Sequence, residues 1–206
     1  MKAELRVLAW LAIFLATLAW SAVAPHDRFT WWLEVLPALI ALAVLVATRR
    51  RFPLTPLLYW LVLAHCLILM VGGHYTYAEV PLGDWLRELV GGERNNYDKL
   101  GHLAQGFVPA IAAREVLLRL KVVRGRAWLV VFVLSLCMAI SALYELIEWG
   151  AALASDGAAE SFLGTQGYAW DTQSDMAWAL GGATLALLSL SHLHDRQLRR
   201  WLAAQV

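Results

Sequence analysis

Six apolar stretches alternate with polar segments along the chain, and each is about as long as a helix that crosses a bilayer. Such a helix needs roughly 20 predominantly apolar residues. The stretches lie at residues 5–24, 31–48, 53–71, 97–120, 127–154 and 171–193. Residues 78–93 are polar and amphipathic, which predicts a short helix at the membrane surface. The pattern therefore predicts an all-α polytopic membrane protein with six transmembrane helices, in a single integral membrane domain over residues 1–206.

The composition supports the membrane interpretation, because 60% of the 206 residues are hydrophobic and only 16% are charged. The first stretch also resembles a signal peptide, since Lys2 and Arg6 lie at its start and Ala22-Val23-Ala24 resembles a cleavage site. The apolar region is longer than a typical signal core, and Pro25 would occupy the position after the cleavage site, where proline is unfavourable. We therefore expect a retained transmembrane helix.

Basic residues concentrate on one side of the predicted six-helix arrangement, the side that holds both termini. Twelve of the 17 lysines and arginines fall there, whereas 13 of the 16 acidic residues fall toward the other side. The positive-inside rule then places both the N terminus and the C terminus in the cytoplasm. The net charge of +1 argues against nucleic acid as a partner. The expected partner is the lipid bilayer, and the oligomeric state is left open.

The last three apolar stretches each carry a polar stripe with the spacing i, i+4, i+7, which puts its members on one face of a helix. The stripes are Asp98, His102 and Gln105, then Ser141, Glu145 and Glu148, then Asp171, Asp175 and Trp178. The predicted topology and a rise of about 1.5 Å per residue place all three in the outer half of the membrane. Ionisable groups at membrane depth are costly and usually functional. We therefore expect one shared polar site.

Several carboxylates cannot all stay ionised in one pocket of low dielectric constant without compensation. Either some of them are protonated or a divalent cation binds them. One or two imidazoles among carboxylates suit Zn²⁺, Mn²⁺ or iron, whereas an all-oxygen set suits Ca²⁺ or Mg²⁺. The sequence leaves both alternatives open.

The metal alternative assigns a role to each polar residue of the site. A ligand set of His102, Asp171 and Asp175 would hold the cation, with Glu145 or Glu148 as general base. Three residues would support that set: Asp98 by orienting His102, Lys99 as a counter-charge, and Gln105 beside the imidazole. Helix capping alone would also explain an aspartate at position 98 or 171.

Three strings in the second half of the chain resemble the YjdF-like bacterial inner-membrane family, which is described as a domain of unknown function. They are YDKLGH at residues 97–102, YELIEW at 144–149 and GYAWDTQSDM at 167–176. A more distant likeness connects the chain to VanZ-like proteins, which share an Asp-Lys-x-x-His opening and are linked to glycopeptide resistance. The resemblance implies a multi-pass protein of the bacterial inner (cytoplasmic) membrane with an envelope role at its outer face. Glu148 departs from the VanZ-like pattern.

Three functions remain open, and no HExxH or other recognised catalytic signature decides whether the chain is an enzyme. The first is metal-assisted chemistry on a lipid or envelope precursor. The second is an ion- or proton-coupled small transporter, which needs a polar path to the inner face, where the last three helices offer only Arg114 and Glu115. The third is a non-catalytic structural or binding membrane protein. The pair Gly181-Gly182 favours close helix packing in any of them.

Overall fold

All regular structure in the described part of the chain is helical, which confirms the all-α prediction there. A computed structural model describes residues 2–154, 160–163 and 165–203. The helices are α1 (Lys2–Ser21), α2 (Arg28–Thr48), α3 (Pro56–Tyr75), α4 (Pro81–Val90), α5 (Tyr97–Arg119), α6 (Arg126–Ala154), α7 (Glu160–Leu163) and α8 (Asp171–Ala203), with a 3-10 turn at Tyr77–Glu79.

Five of these helices are long and apolar enough to cross a membrane, as judged over the described residues: α1, α2, α3, α6 and α8. The remaining long helix, α5, has 23 residues and would also reach across the hydrocarbon. It falls outside that set because polar and charged residues are spread along it, among them Asp98 in the first turn and Arg119 in the last. Asp98, one of the predicted site residues, thus also weakens the membrane signature of α5.

Local chemistry explains where the helices depart from the predicted bounds. Helix α2 begins three residues early because the Asp27 side chain accepts a hydrogen bond from the Thr30 backbone N–H at 2.6 Å, which caps the helix. Helix α3 begins at Pro56, a position that needs no N–H. Helix α8 continues ten residues beyond the predicted end at residue 193, and Leu198 is buried on that extension.

Helices α5 and α8 pack side by side with their backbones in contact. A Cβ atom added to Gly106 would collide with the Ala179 carbonyl, and one added to Gly182 would collide with the Leu103 carbonyl. Only glycine allows such an approach, as in membrane helix pairs generally. The contact brings the first turns of both helices to the same end of the bundle.

The two larger apolar cores join the long helices, and α3 contributes to both. One core lies among α3, α5, α6 and α8, around Ile111 and Val133. The other lies among α1, α2 and α3, around Phe14 and Met70. The free thiols of the two cysteines are buried in separate cores, as expected for small apolar residues.

The two ends of the bundle differ in charge. We call the end where α5 and α8 begin the site end. The opposite end, where α3 and α6 begin, carries the arginine clusters at 49–51 and at 124 and 126, and we call it the basic end.

Candidate functional site

Ion pairs between the first turns of α5 and α8 form the base of the site. The Lys99 Nζ lies 2.8 Å from Asp171 Oδ1 and also contacts Asp175 Oδ1. Arg94, in the segment before α5, places Nη1 at 2.6 Å from the same Asp171 oxygen and Nη2 at 3.4 Å from Asp98 Oδ2. These aspartates and Lys99 are all buried. Lys99 therefore bridges α5 and α8.

His102 lies one turn deeper, and its two ring nitrogens face different partners. Nδ1 lies 3.2 Å from Gln105 Oε1. An amide oxygen only accepts hydrogen bonds, so Nδ1 is the donor in this contact when it carries a proton. Nε2 then faces Asp98 Oδ1 at 3.3 Å and Asp175 Oδ2 at 3.8 Å.

In a neutral His102 with the proton on Nδ1, the unprotonated Nε2 would face two carboxylates. The lone pair of the nitrogen and those of the carboxylate oxygens would repel each other. The arrangement requires a positive charge at that point, either a second proton on the imidazole or a bound cation. Asp98, His102 and Asp175 each offer a ligand atom, and these atoms lie within 4.8 Å of one another. Metal-binding histidines commonly donate their other ring N–H to a fixed acceptor, as His102 does to Gln105.

Helix α6 adds Glu145, which leaves one buried oxygen without a partner. Glu145 Oε1 lies 3.9 Å from His102 Nδ1 and has no hydrogen-bond partner among the described residues. The Ser141 hydroxyl, one turn earlier on α6, is likewise buried and unsatisfied there. Buried polar atoms are nearly always paired in native proteins. This side of the site can therefore bind a further polar or charged group, which would pair with the unsatisfied atoms.

A second row of polar side chains extends the site toward α2. The Tyr144 hydroxyl donates to Glu34 Oε2 at 3.2 Å, and Glu148 lies beside them. A cavity of about 20 Å³ separates this row from Asp98 and His102, which is space for roughly one water molecule. The site thus reaches from α8 across α5 to α2.

The segments that precede α5 and α8 cover the outer mouth of the site. Asn95 N donates to Gln166 Oε1 at 3.1 Å, and Gln166 Nε2 donates back to the Asn95 carbonyl at 2.8 Å. The Arg94 guanidinium lies 5.6 Å from the centre of the exposed Tyr168 ring, a cation–π distance. These contacts separate the aspartates from the surface.

A buried cluster at the basic end provides a contrast, because its acid is fully satisfied. Glu115 accepts hydrogen bonds from the Thr55 N–H at 3.0 Å, the Thr55 hydroxyl at 2.7 Å and Arg119 Nη1 at 2.9 Å. Its Oε2 also lies 3.0 Å from His194 Nε2. This cluster joins α3, α5 and α8 and explains its own burial. The unsatisfied Glu145 oxygen at the site end has no such explanation.

The structure gathers the predicted site residues at one end of the bundle, with two differences in arrangement. Asp171 is held by Lys99 and Arg94 and does not face His102. Asp98, predicted to support the imidazole, contributes one of the three clustered ligand atoms. The roles of ligand, base and supporting residue stay predictions.

Sequence reasoning missed Glu34 and His194. Glu34 is the one acid inside the apolar stretch 31–48, and a lone ionisable residue at membrane depth was signal enough to include it. His194 lies just beyond the predicted end of the last span at residue 193, so the apolar pattern does not place it among the helices of the bundle.

Comparison with known proteins places the chain in a family. The sequence model of the family described as "Predicted membrane protein (DUF2238)" matches residues 6–196. The chain belongs to the DUF2238 family. Its relative "Inner membrane protein YjdF" of Escherichia coli (strain K12) is 54% identical over 184 residues, which is 89% of this chain and 88% of the relative. No solved structure matches.

This membership confirms the resemblance to the YjdF-like family and, together with the apolar helices, the location in the bacterial inner membrane. The description of the family names no activity. The distant likeness to VanZ-like proteins stays a prediction.

Proposed function

We propose that the site end binds a divalent cation and uses it in chemistry on a lipid or envelope precursor that reaches it from the outer leaflet. The observation that carries the proposal is that His102 Nε2 faces Asp98 and Asp175, with three ligand atoms within 4.8 Å of one another. One nitrogen and two oxygens suit Zn²⁺, Mn²⁺ or iron better than Ca²⁺ or Mg²⁺.

In this proposal Asp98, His102 and Asp175 are the ligands, and Asp171 has a different role from the one that the sequence suggested. Lys99 and Arg94 already neutralise Asp171, so it holds Lys99 beside the cation site. The cation would polarise a phosphoryl or acyl oxygen or activate water. Glu145, with its unpaired buried oxygen, is the proposed general base. Glu148 lies farther away, beside the cavity that Glu34 also lines. It would pass protons to or from Glu145.

We further propose that α5 crosses the membrane with the five apolar helices, which gives six spans and cytoplasmic termini. The support is the distribution of charge. The arginine clusters all lie at the basic end, and cytoplasmic segments of membrane proteins are enriched in lysine and arginine. This orientation puts the site near the outer face.

Metal analysis of the purified full-length chain tests the cation proposal. The protein is stripped with a chelator, dialysed against Zn²⁺ or Mn²⁺, and its metal content measured per chain. Wild type is expected to bind about one equivalent. Asp175→Asn, which removes a proposed ligand, should lower the content. Gln105→Leu, which removes the acceptor at His102 Nδ1, should weaken affinity by roughly 10- to 100-fold.

Asp195→Asn is the matched control, because it removes a carboxylate at the basic end on the same helix as Asp175. Its metal content should equal that of wild type. Equal metal content in wild type and Asp175→Asn would remove the ligand assignment. If Asp175→Asn lowered only the thermal stability, the ion pairs would be structural, which is the non-catalytic alternative.

Transport is the second candidate, and the buried cluster around Glu115 and His194 favours it, because polar residues then exist near both ends of the bundle. The fully buried apolar side chains of Ala110, Ile111 and Val133 lie between the two clusters. Ion or proton coupling would require that layer to open. Proton uptake into vesicles that contain the purified chain, abolished by Glu115→Gln, would favour transport over the enzyme.

A further inference from the structure

A large cavity at the basic end is separate from the proposed cation site. It has a volume of about 660 Å³ and lies where α5 ends, α6 begins and α8 approaches its end. Arg126 and His192 line the part nearest the basic end, whereas Leu134 and Leu187 line the part nearer the middle of the bundle. Leu188, with 80% of its surface exposed, forms its edge. The cavity is therefore a groove that opens sideways, toward the lipid.

The length of the groove matches one leaflet. On α8 its lining runs from Thr184 to Asp195, and on α6 from Arg126 to Leu134. At a rise of 1.5 Å per residue these spans are about 16 Å and about 12 Å. The hydrocarbon core is about 30 Å thick, so the groove reaches from the surface to about the middle of the bilayer. An acyl chain has this reach.

The mouth of the groove carries positive charge. Asp195 is the acid in its lining, and it is paired with Arg114 Nη2 at 2.6 Å. Arg126 is exposed at the start of α6, in the same basic loop as Arg124 and Lys121. The positive end of the α6 dipole lies at the same point, where anions bind favourably. The mouth therefore offers a site for a phosphate group.

We propose that this groove binds an anionic phospholipid, with the phosphate at Arg126 and the start of α6 and an acyl chain along Leu134 and Leu187. A second copy of the chain is the less favourable occupant, because it would bring two copies of the basic loop at 121–126 together. Basic pockets between membrane helices on the cytoplasmic side are typical sites for anionic headgroups. The inference goes beyond the proposed cation chemistry and does not rest on it.

Native mass spectrometry of the delipidated full-length chain tests the proposal, with phosphatidylglycerol and phosphatidylethanolamine as probes. Wild type is expected to retain phosphatidylglycerol more strongly than phosphatidylethanolamine by about fivefold or more, because one arginine contributes roughly that factor. Arg126→Gln should remove most of the preference. Ser191→Phe, which fills the groove from α8, should lower the retention of both lipids.

Arg124→Gln is the matched control, because Arg124 lies in the same loop and does not line the groove. Its retention of phosphatidylglycerol should stay within about twofold of wild type. Equal losses in Arg124→Gln and Arg126→Gln would show unspecific attraction to the basic end and overturn the proposal. Equal retention of the two lipids by wild type, or unchanged retention in Ser191→Phe, would overturn it as well. Asp175→Asn should retain lipid normally, which separates this result from the cation experiment.

Discussion

Asp27 determines where α2 begins, and its effect depends on pH. Its carboxylate accepts the Thr30 backbone N–H, and this hydrogen bond lowers the pKa of Asp27 below its ordinary value. A lowered pKa in the folded state means that the stabilisation is complete above the pKa of the unfolded state. It is lost as the pH falls through the folded-state pKa.

We expect Asp27→Ala to lower the free energy of unfolding by about 1 kcal/mol at neutral pH. The difference from wild type should shrink below about pH 4, where the carboxylate becomes protonated. Thermal unfolding in detergent, followed by circular dichroism at pH 7 and pH 3, measures both values. Glu93→Ala, at an exposed carboxylate, is the control. A difference that is the same at both pH values would contradict the capping role.

The sequence predicts which residues belong to the site better than it predicts which side chains contact each other. The i, i+4, i+7 spacing correctly groups Asp98, His102 and Gln105 on one face of α5. It says little about Lys99, because a residue next to Asp98 in sequence lies off that face of the helix. The long lysine side chain reaches across to Asp171, and such a reach depends on how far apart two helices pack. The spacing along one helix contains no such information.

Helix packing separates two neighbouring glycines of α8 into different roles. A Cβ at Gly182 would collide with the Leu103 carbonyl of α5, whereas a Cβ at Gly181 would meet no atom within 4 Å. The sequence pair favours close packing but does not show which glycine faces the partner helix, because that depends on how α8 is rotated.

We expect Gly182→Ala to lower the free energy of unfolding by about 1–3 kcal/mol, because the added methyl group forces α5 and α8 apart. Gly181→Ala should be neutral or stabilising by up to about 1 kcal/mol, since alanine favours helix more than glycine does. The unfolding midpoints of the two variants in the same detergent provide the comparison. Equal midpoints would show that the two backbones do not touch.

The bounds of α8 show why hydropathy alone misplaces a helix end. The apolar pattern stops near residue 193, but the helix continues to Ala203, as Arg114 pairs with Asp195 and Leu198 is buried. Contacts with other helices stabilise the last turns, and a window along the sequence does not include those contacts.

For the whole molecule, the proposed topology makes opposite predictions for the two ends of the bundle. The natural thiols, Cys66 and Cys137, are both buried, so new cysteines can report accessibility. Glu93→Cys lies near the site end and Arg50→Cys at the basic end, and both positions are exposed.

We expect a membrane-impermeant maleimide to label Glu93→Cys in intact spheroplasts. Arg50→Cys should be labelled only after the membrane is disrupted, because arginine-rich segments stay in the cytoplasm. Wild type provides the background. Labelling of Arg50→Cys alone would invert the topology, and labelling of both would indicate a different number of spans between them.

The order and the approximate lengths of the helices were accessible from hydropathy, but the neighbour relations were not. The pairing of α5 with α8 depends on the contact of Gly106 with Ala179 and that of Gly182 with Leu103, residues that are far apart in sequence and meet only after folding. Glu34 joins the site through the same kind of long-range contact, from α2 to Tyr144. A single sequence specifies such contacts without displaying them.

The backbone contact between α5 and α8 also limits how the site can admit a molecule. Asp98 and Asp175 are carried by two helices that cannot slide or separate without losing their closest contacts. Glu145 is carried by α6, which touches the Gly106 carbonyl through the Cys137 thiol, at 3.6 Å. The pair α5 and α8 therefore forms a fixed wall of the site. In the proposed function, a headgroup would enter past α6 or past the segments that cover the mouth, and not between α5 and α8.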